Sequence, residues 1–214
     1  MSASGSDRGG YDYSDGSLNA SHAYLMPAVL RILQTLNSSD AEKRIFELGC
    51  GNGSVSNELT KRGFEMTGVD PSPDGLRYAK EHYPHLKISP GSAYDDLAER
   101  YGKFPIVLSL EVVEHLYFPR KFAAVVNDLL LPGGTAVIST PYHGYWKNLA
   151  LSLTGKMDDH FTALWDYGHI KFWSMKTLRT LLMEMGFDDI SFVRVGRVPL
   201  LAKSMIAIAR KPRK

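Results

Sequence analysis

Two hydrophobic rhythms alternate along this 214-residue chain. Near the start, Leu18, Leu25, Val29, Ile32, Leu33 and Leu36 recur at helical spacing, which predicts an amphipathic helix from Ser17 to the polar cluster at 37–40. Residues 1–16, rich in Ser, Gly and Asp, have the composition of a flexible segment. Beyond Ala41, short apolar runs alternate with helical patterns, as in parallel βαβ units. Strands are expected at 44–48, 64–69, 86–89, 106–110 and 135–140, with two late ones at 190–195 and 204–209. Helices are expected after a Gly-rich turn as far as Lys61, from the 71–73 prolines to Tyr83, and across 120–131, where Pro132-Gly133-Gly134 reads as the stop. A further helix follows Ser174 as its cap, with Leu178, Leu181, Leu182 and Met185 on one face and Gly186 at its end. The pattern predicts an α/β fold with one domain over 17–214, broken by a long irregular stretch at 141–173.

A hydrophobic fraction of 44% and a charged fraction of 22% are those of an ordinary globular protein. The net charge is +2, and four cations, Arg210, Lys211, Arg213 and Lys214, crowd the last five residues as what reads as a solvated end. Setting them aside leaves the body near −2, without the basic footprint of a nucleic-acid domain, so nucleic acid is not an expected partner. Cys50 is the single cysteine, which excludes an internal disulfide and a cysteine zinc cage and fits a reducing compartment. With no signal-peptide pattern and no apolar run of bilayer length, the expected location is the cytoplasm. The pattern sets no oligomeric state.

The chemistry gathers first at FELGCGNGS, residues 46–54. Here a strand delivers Glu47 into a turn of Gly49, Cys50, Gly51 and Gly53, whose glycines permit positive φ and close approach of a ligand to the backbone. A dinucleotide turn would read G-x-G-x-x-G, but Ser54 stands where the third glycine would fall. The preceding acid would repel a pyrophosphate and suits a cationic ligand bearing an ammonium group. These departures favour S-adenosylmethionine over a nicotinamide dinucleotide, with Cys50 read as filling space between glycines. Asp70, ahead of Pro71, ends the second strand where a carboxylate can accept from both ribose hydroxyls. After the third strand, the backbone of Ser92, Ala93 and Tyr94 can meet the adenine edge. Leu110 and Glu111, at the end of the fourth strand, complete the expected pocket lining.

Together E-x-G-C-G-x-G, V-D, S-L-E-V-V-E-H-L, P-G-G before the fifth strand and the closing A-I-A-R-K-P resemble a class I S-adenosylmethionine-dependent methyltransferase from Ala41 to Lys211. That resemblance implies a Rossmann-like, mostly parallel seven-stranded sheet of order 3-2-1-4-5-7-6, its last strand antiparallel, with helices on both faces and a lid insertion after strand five. One departure is Ser92, where many relatives carry an acid.

A helical turn beginning at Glu111 would put Glu111, Glu114 and His115 on one face, a donor set for a hard divalent ion such as Mg²⁺ or Mn²⁺. The same E-V-V-E-H-L resembles the ubiquinone-biosynthesis O-methyltransferases. It also resembles the small-RNA 3′-terminal 2′-O-methyltransferases, where E-x-x-E-H and a later histidine bind metal; that resemblance makes His169 the later partner. E-x-x-E-H also serves relatives as plain pocket lining, so the metal stays an alternative. His115, His143 and His169 are the candidate bases for activating a hydroxyl, whereas His22, His82, His85 and His160 read as surface or packing residues.

The 141–173 stretch is too long for a simple connection and holds all three tryptophans, Trp146, Trp165 and Trp173, with Tyr142, Tyr145, Phe161, Tyr167 and Phe172. Three readings fit it: a lid over an apolar acceptor pocket, a peripheral membrane contact through 145–153 with Lys147 and Lys156, or aromatics packed on one another. The expected function is O-methylation of a small hydroxylated or aromatic acceptor. An RNA 2′-O-methyltransferase and a non-catalytic S-adenosylmethionine-binding protein are the alternatives.

Overall fold

Strands that are apolar along their whole length need cover on both faces, and the chain supplies it with helices between successive strands. The computed structural model describes residues 17–36, 43–161, 163–166 and 168–213; the 1–16 segment, the 37–40 cluster, Tyr167 and Lys214 lie outside the described residues. The strands are β1 (Arg44–Leu48), β2 (Glu65–Asp70), β3 (Lys87–Pro90), β4 (Phe104–Leu110), β5 (Leu130–Pro141), β6 (Asp188–Val195) and β7 (Ser204–Arg210). They join in one sheet of order β3-β2-β1-β4-β5-β7-β6. β1 to β5 pair in parallel, and β7 runs antiparallel between β5 and β6.

The helices are α1 (Ala20–Leu36), α2 (Ser54–Thr60), α3 (Pro73–His82), α4 (Leu97–Tyr101), α5 (Pro119–Leu129), α6 (Tyr145–Leu153), α7 (Met157–Phe161) and α8 (Met175–Glu184). Alternation along β1 sends Phe46 and Leu48 to one face and Ile45 to the other. On the first face they meet Phe122, Val126 and Leu129 of α5 and Leu178 and Leu182 of α8. On the second, Ile45 joins Leu25, Val29 and Leu33 of α1 and Leu59 of α2. Local signals set the helix ends. Ser72 accepts from the Gly75 N–H to cap α3, Ser174 and Thr177 form a reciprocal capping box on α8, and Gly186 at φ 82° stops it.

Three expectations need correction. The stretch at 141–173 is not irregular, since it contains α6 and α7. α4, a helix of barely more than one turn, had no periodicity long enough to predict it. Pro132-Gly133-Gly134 does not end α5, which stops at Leu129; Leu130 already pairs with Phe104, and the ladder shifts register before Thr135 meets Ile106. The C-terminal tail holds this bulge. The Gly133 N–H donates to the Lys211 and Pro212 carbonyls, and Lys211 Nζ donates to the carbonyls of Asn127 (2.7 Å) and Leu130 (3.1 Å), so Lys211 is a cap on α5 rather than a solvated end.

Phe122, fully buried where α5 meets the sheet, tests this packing. Phe122→Ala should lower the unfolding free energy in urea by about 3–5 kcal/mol, whereas Met183→Ala on the exposed face of α8 should stay within about 0.5 kcal/mol.

Candidate active site

At the carboxyl ends of β1 and β4 the chain leaves toward opposite faces of the sheet, which opens the crevice where α/β folds bind ligands. The turn after β1 uses left-handed backbone at Gly49 (φ 86°), Gly51 (φ 52°) and Gly53 (φ 74°). A Cβ on Gly49 would lie 2.4 Å from Val112 Cγ2, and one on Gly53 2.9 Å from Ile88 Cδ1, so glycine is required for shape as well as dihedral. The Gly49 and Cys50 N–H groups both donate to the Val69 carbonyl. Gly51 N–H donates to Asp70 Oδ2 and Ser72 N–H to Asp70 Oδ1, each at 2.8 Å.

Asp70 therefore fastens the turn after β1 to the turn after β2. Burial raises its pKa against the lowering effect of these two bonds. Each oxygen keeps a second lone pair, which is the acceptor set a ribose diol requires. Pro71 beside it is exposed. Cys50 is buried against Gly68, where a Cβ would come within 2.9 Å of its own, and burial pushes the thiol well up, as a space-filling role requires.

Glu47, near the end of β1, faces α2. Its carboxyl is buried and takes the Ser56 hydroxyl of α2 at 2.5 Å, while burial and then the Asp70 charge push it up to about 8. Through Ser56 it braces the turn against α2. In the loop after β3, Ser92 N–H donates to Asp95 and Tyr94 N–H to the Ser92 hydroxyl, with Ala93 buried. Tyr94 accepts the Phe118 N–H and packs edge-on against that ring, which joins the loop to the chain beyond β4. Leu110 is buried at the end of β4.

The E-x-x-E-H segment is not an α-turn. Val112 packs on Gly49, Glu111 adopts φ 54°, and a single 3₁₀ turn covers Val113–His115. Glu111 consequently points away from Glu114's partners. Ser139 Oγ donates to it at 2.8 Å and Ser204 Oγ at 3.3 Å, and the Tyr24 hydroxyl of α1 lies 2.9 Å from Ser204. Burial pushes Glu111 up to about 7 and, with Glu111's charge next in effect, Tyr24 up to about 12. Glu114, His115 and His169 form a separate group whose ligating atoms all lie within 4.8 Å of one another. Expected beside them, Glu111 is not in that set. Glu114 is fully buried, and among the described residues neither of its oxygens has a hydrogen bond of good geometry, though Thr140 lies close enough to ease its charge. Burial and then Glu111 hold its pKa well above the carboxylate range. His169 Nε2 lies 4.0 Å from Glu114 Oε1, and the two imidazoles meet edge to face at 4.9 Å. His115 Nδ1 faces the Gly168 carbonyl at 3.1 Å, which can only accept, so Nδ1 carries the proton and the lone pair is on Nε2.

A sequence profile of the methyltransferase-domain family matches residues 20–191. The chain belongs to that family. Its fold and motifs place it among class I S-adenosylmethionine-dependent methyltransferases. One relative, a ubiquinone biosynthesis O-methyltransferase of Caulobacter sp. (strain K31), is 37% identical over 116 residues, covering 52% of this chain and 46% of its own. Another of that name, from Psychrobacter arcticus, is 26% identical over 176 residues, covering 78% and 67%. The chain spans about half the length of the curated relatives it matches. Among solved structures, a SAM-dependent methyltransferase from Archaeoglobus fulgidus superposes with a TM-score of 0.62 at 16% identity, covering 87% of this chain and 93% of that one. The methyltransferase domain of bacterial CtHen1 gives 0.64 at 22%, covering 90% and 100%. Both likenesses are of fold.

After β5 the methyltransferase surrounds this cluster with the aromatics of the 141–173 segment. Trp165 packs edge-on against His115 and His169, and Trp173 is buried with its indole N–H donating to the Val113 carbonyl. Phe161, Phe172 and His143 pack together, while Tyr145, Trp146 and Leu153 of α6 are exposed. Burial, then the nearby Lys147, His160 and His169, lowers His143 to about 3. His160, read as a surface or packing residue, stacks on His143 with ring centres 5.0 Å apart. Lys147, which one of the three readings of this stretch set near a membrane surface, is buried and donates to the Lys203 carbonyl. Tyr24, Ser139 and Ser204 were missed because their partners lie far along the chain. Lys147 carried a local signal, the helical spacing of 145–153.

Two measurements test the cofactor end. Asp70→Ala should weaken S-adenosylmethionine binding by about tenfold or more in calorimetry, since charged acceptors contribute about 1.5–3 kcal/mol each; unchanged affinity would remove Asp70 from the site. For Glu47, a raised folded-state pKa means that its stabilising contribution is complete below 4.5 and is lost as pH rises toward about 8. The melting temperature of Glu47→Gln should therefore fall less across that window than that of the native protein, and parallel curves would show that Glu47 ionises normally.

Proposed function

We propose that the domain is an O-methyltransferase that passes the methyl group of S-adenosylmethionine to a hydroxyl of a small hydroxylated or aromatic acceptor. Glu114 carries the reading. A fully buried carboxyl that, among the described residues, has no hydrogen bond of good geometry and stands beside two imidazoles is a polar group a ligand would complete. The names of the Caulobacter and Psychrobacter relatives support a hydroxyl as the acceptor.

Bound S-adenosylmethionine supplies a methyl on a sulfonium: the carbon–sulfur bond breaks as the carbon–oxygen bond forms, and the thioether leaves uncharged. Such a displacement asks the protein mainly for alignment, and the glycine turn with Asp70 provides it on the cofactor side. The hydroxyl must also lose its proton. Burial, then His115 and His160, lower His169 to about 4, so it is neutral at physiological pH and can accept that proton beside Glu114. His143, lowered by burial and then by Lys147, is assigned to the acceptor pocket because it packs with Phe161 and Phe172 rather than beside Glu114.

Glu114, His115 and His169 are also a fitting donor set for a divalent cation, which would supply Lewis acidity at the hydroxyl. We assign the α6–α7 segment the role of a lid over the acceptor. Its exposed Tyr145, Trp146 and Leu153, together with Leu200 and Leu201 on the Pro199–Leu201 turn packed against α6, make an apolar rim suited to a lipid-like acceptor or a membrane surface.

A screen with labelled cofactor should show transfer to catechols or phenols, with short RNAs unlabelled. Glu114→Gln should reduce turnover by about 10²-fold or more, the usual scale of lost acid–base assistance, while cofactor affinity holds. Chelator should act likewise if a cation is used, and full activity in chelator would leave the histidines to act alone. Labelling of RNA only would overturn the choice of acceptor.

A further inference from the structure

Next to the Glu114–His115–His169 group lies a second cluster, and its groups are all cationic or hydrogen-bond donors. Lys147 comes from α6, His143 from the link after β5, His160 from α7 and Arg197 from the connection between β6 and β7. α6 packs on both α7 and the Pro199–Leu201 turn, which brings these segments to one place. Lys147 and His143 are each only 7% exposed. The Lys147 ammonium has one hydrogen bond, to the Lys203 carbonyl at 3.2 Å. The His143 and His160 rings lie 5.0 Å apart, and among the described residues their buried Nδ1 and Nε2 atoms, respectively, have no hydrogen bond of good geometry, with the Asn148 side chain beside His143.

The cluster repels itself. Burial and then Arg197 lower Lys147 to about 8, and burial, Lys147 and Arg197 lower His160. Among the described residues no carboxylate lies within ion-pairing distance of Lys147 or Arg197, and Glu111, the acid whose charge reaches Lys147, is occupied by Ser139 and Ser204. Phe161 and Phe172 wall the cluster with aromatic surface. A chain that collects donors in a half-dry place without its own anion is built for an external one.

We propose that Lys147, Arg197, His143 and His160 form an anion subsite that binds a carboxylate or phosphate group on the methyl acceptor. The subsite borders His169, so an acceptor anchored there by its anionic group would present a hydroxyl to the activating cluster. This places acidic hydroxylated acceptors ahead of neutral ones. The inference rests on the acceptor end being the one assigned above, but binding at the subsite needs no turnover.

The test is a titration at low chloride, followed by the imidazole resonances of His143 and His160, with benzoate, inorganic phosphate and neutral benzamide as probes. Benzoate or phosphate should shift both histidines and benzamide neither. Arg197→Gln, at an exposed turn, and Lys147→Met, which keeps the buried volume, should each weaken the anion by about tenfold, the scale of one charge-assisted contact. Preference for benzoate indicates a carboxylate-bearing acceptor, and preference for phosphate a phosphorylated one. Equal affinity in both variants, or no shift at millimolar anion, overturns the subsite. A subsite that binds while no hydroxyl acceptor is methylated would instead refute the O-methyl reading alone.

Discussion

The bonds that Asp70 accepts from Gly51 and Ser72 decide where the crevice can be. β1 and β2 are adjacent parallel strands, so the turns that follow them emerge side by side and would drift independently without a tether. One carboxylate supplies it, and it faces the crevice in doing so. Val112 in turn sits on Gly49, so the position of the chain beyond β4 is set by the turn beyond β1. From there the left-handed Glu111 reaches Ser139 on β5 and Ser204 on β7. The carboxyl edge of the sheet is thus fixed strand by strand from a single buried acid.

Charge is divided along that edge. The acids Glu47 and Asp70 lie toward β1 and β2, and the bases Lys147, His143, His160 and Arg197 lie beyond β5. Under the proposed function, a sulfonium cofactor would sit by Asp70 and an electron-rich acceptor by the second group. Glu114 stands between them, its pKa raised by burial and by Glu111. The geometry therefore separates the electrophile from the nucleophile before either arrives, which is the preorganisation that methyl transfer chiefly needs.

Much of this was readable from local pattern. The glycine turn, Asp70, the capped α8 and the strand alternation depend on neighbours a few residues away, and sequence carries such information directly. Their assembly into the order β3-β2-β1-β4-β5-β7-β6 was legible through resemblance rather than periodicity. What sequence spacing misjudged depended on distant contacts. An α-turn at Glu111 is prevented by Gly49, more than sixty residues earlier, because Val112 must lie over it. α5 stops early because the chain's last strand draws the 131–134 bulge to itself. The burial of Lys147 depends on the Lys203 carbonyl, and the packing of His160 finds its partner, His143, only once α7 has folded. Glu47 shows a subtler limit: its position in the motif was recognised, but the direction of its side chain depends on Ser56.

All three tryptophans lie between β5 and α8, and the sheet contains none. Trp165 touches both imidazoles of the activating group, Trp173 is bonded to the 3₁₀ turn that carries Glu114, and Trp146 stands in solvent on α6. The tryptophan emission of this protein is therefore a signal from this segment alone, with one fluorophore on His115 and His169, one on the 3₁₀ turn below them and one on the exposed face of α6. Changes at Asp70 or in the loop after β3 leave that emission untouched unless they move the segment, so the molecule carries a built-in reporter for this side of the sheet edge.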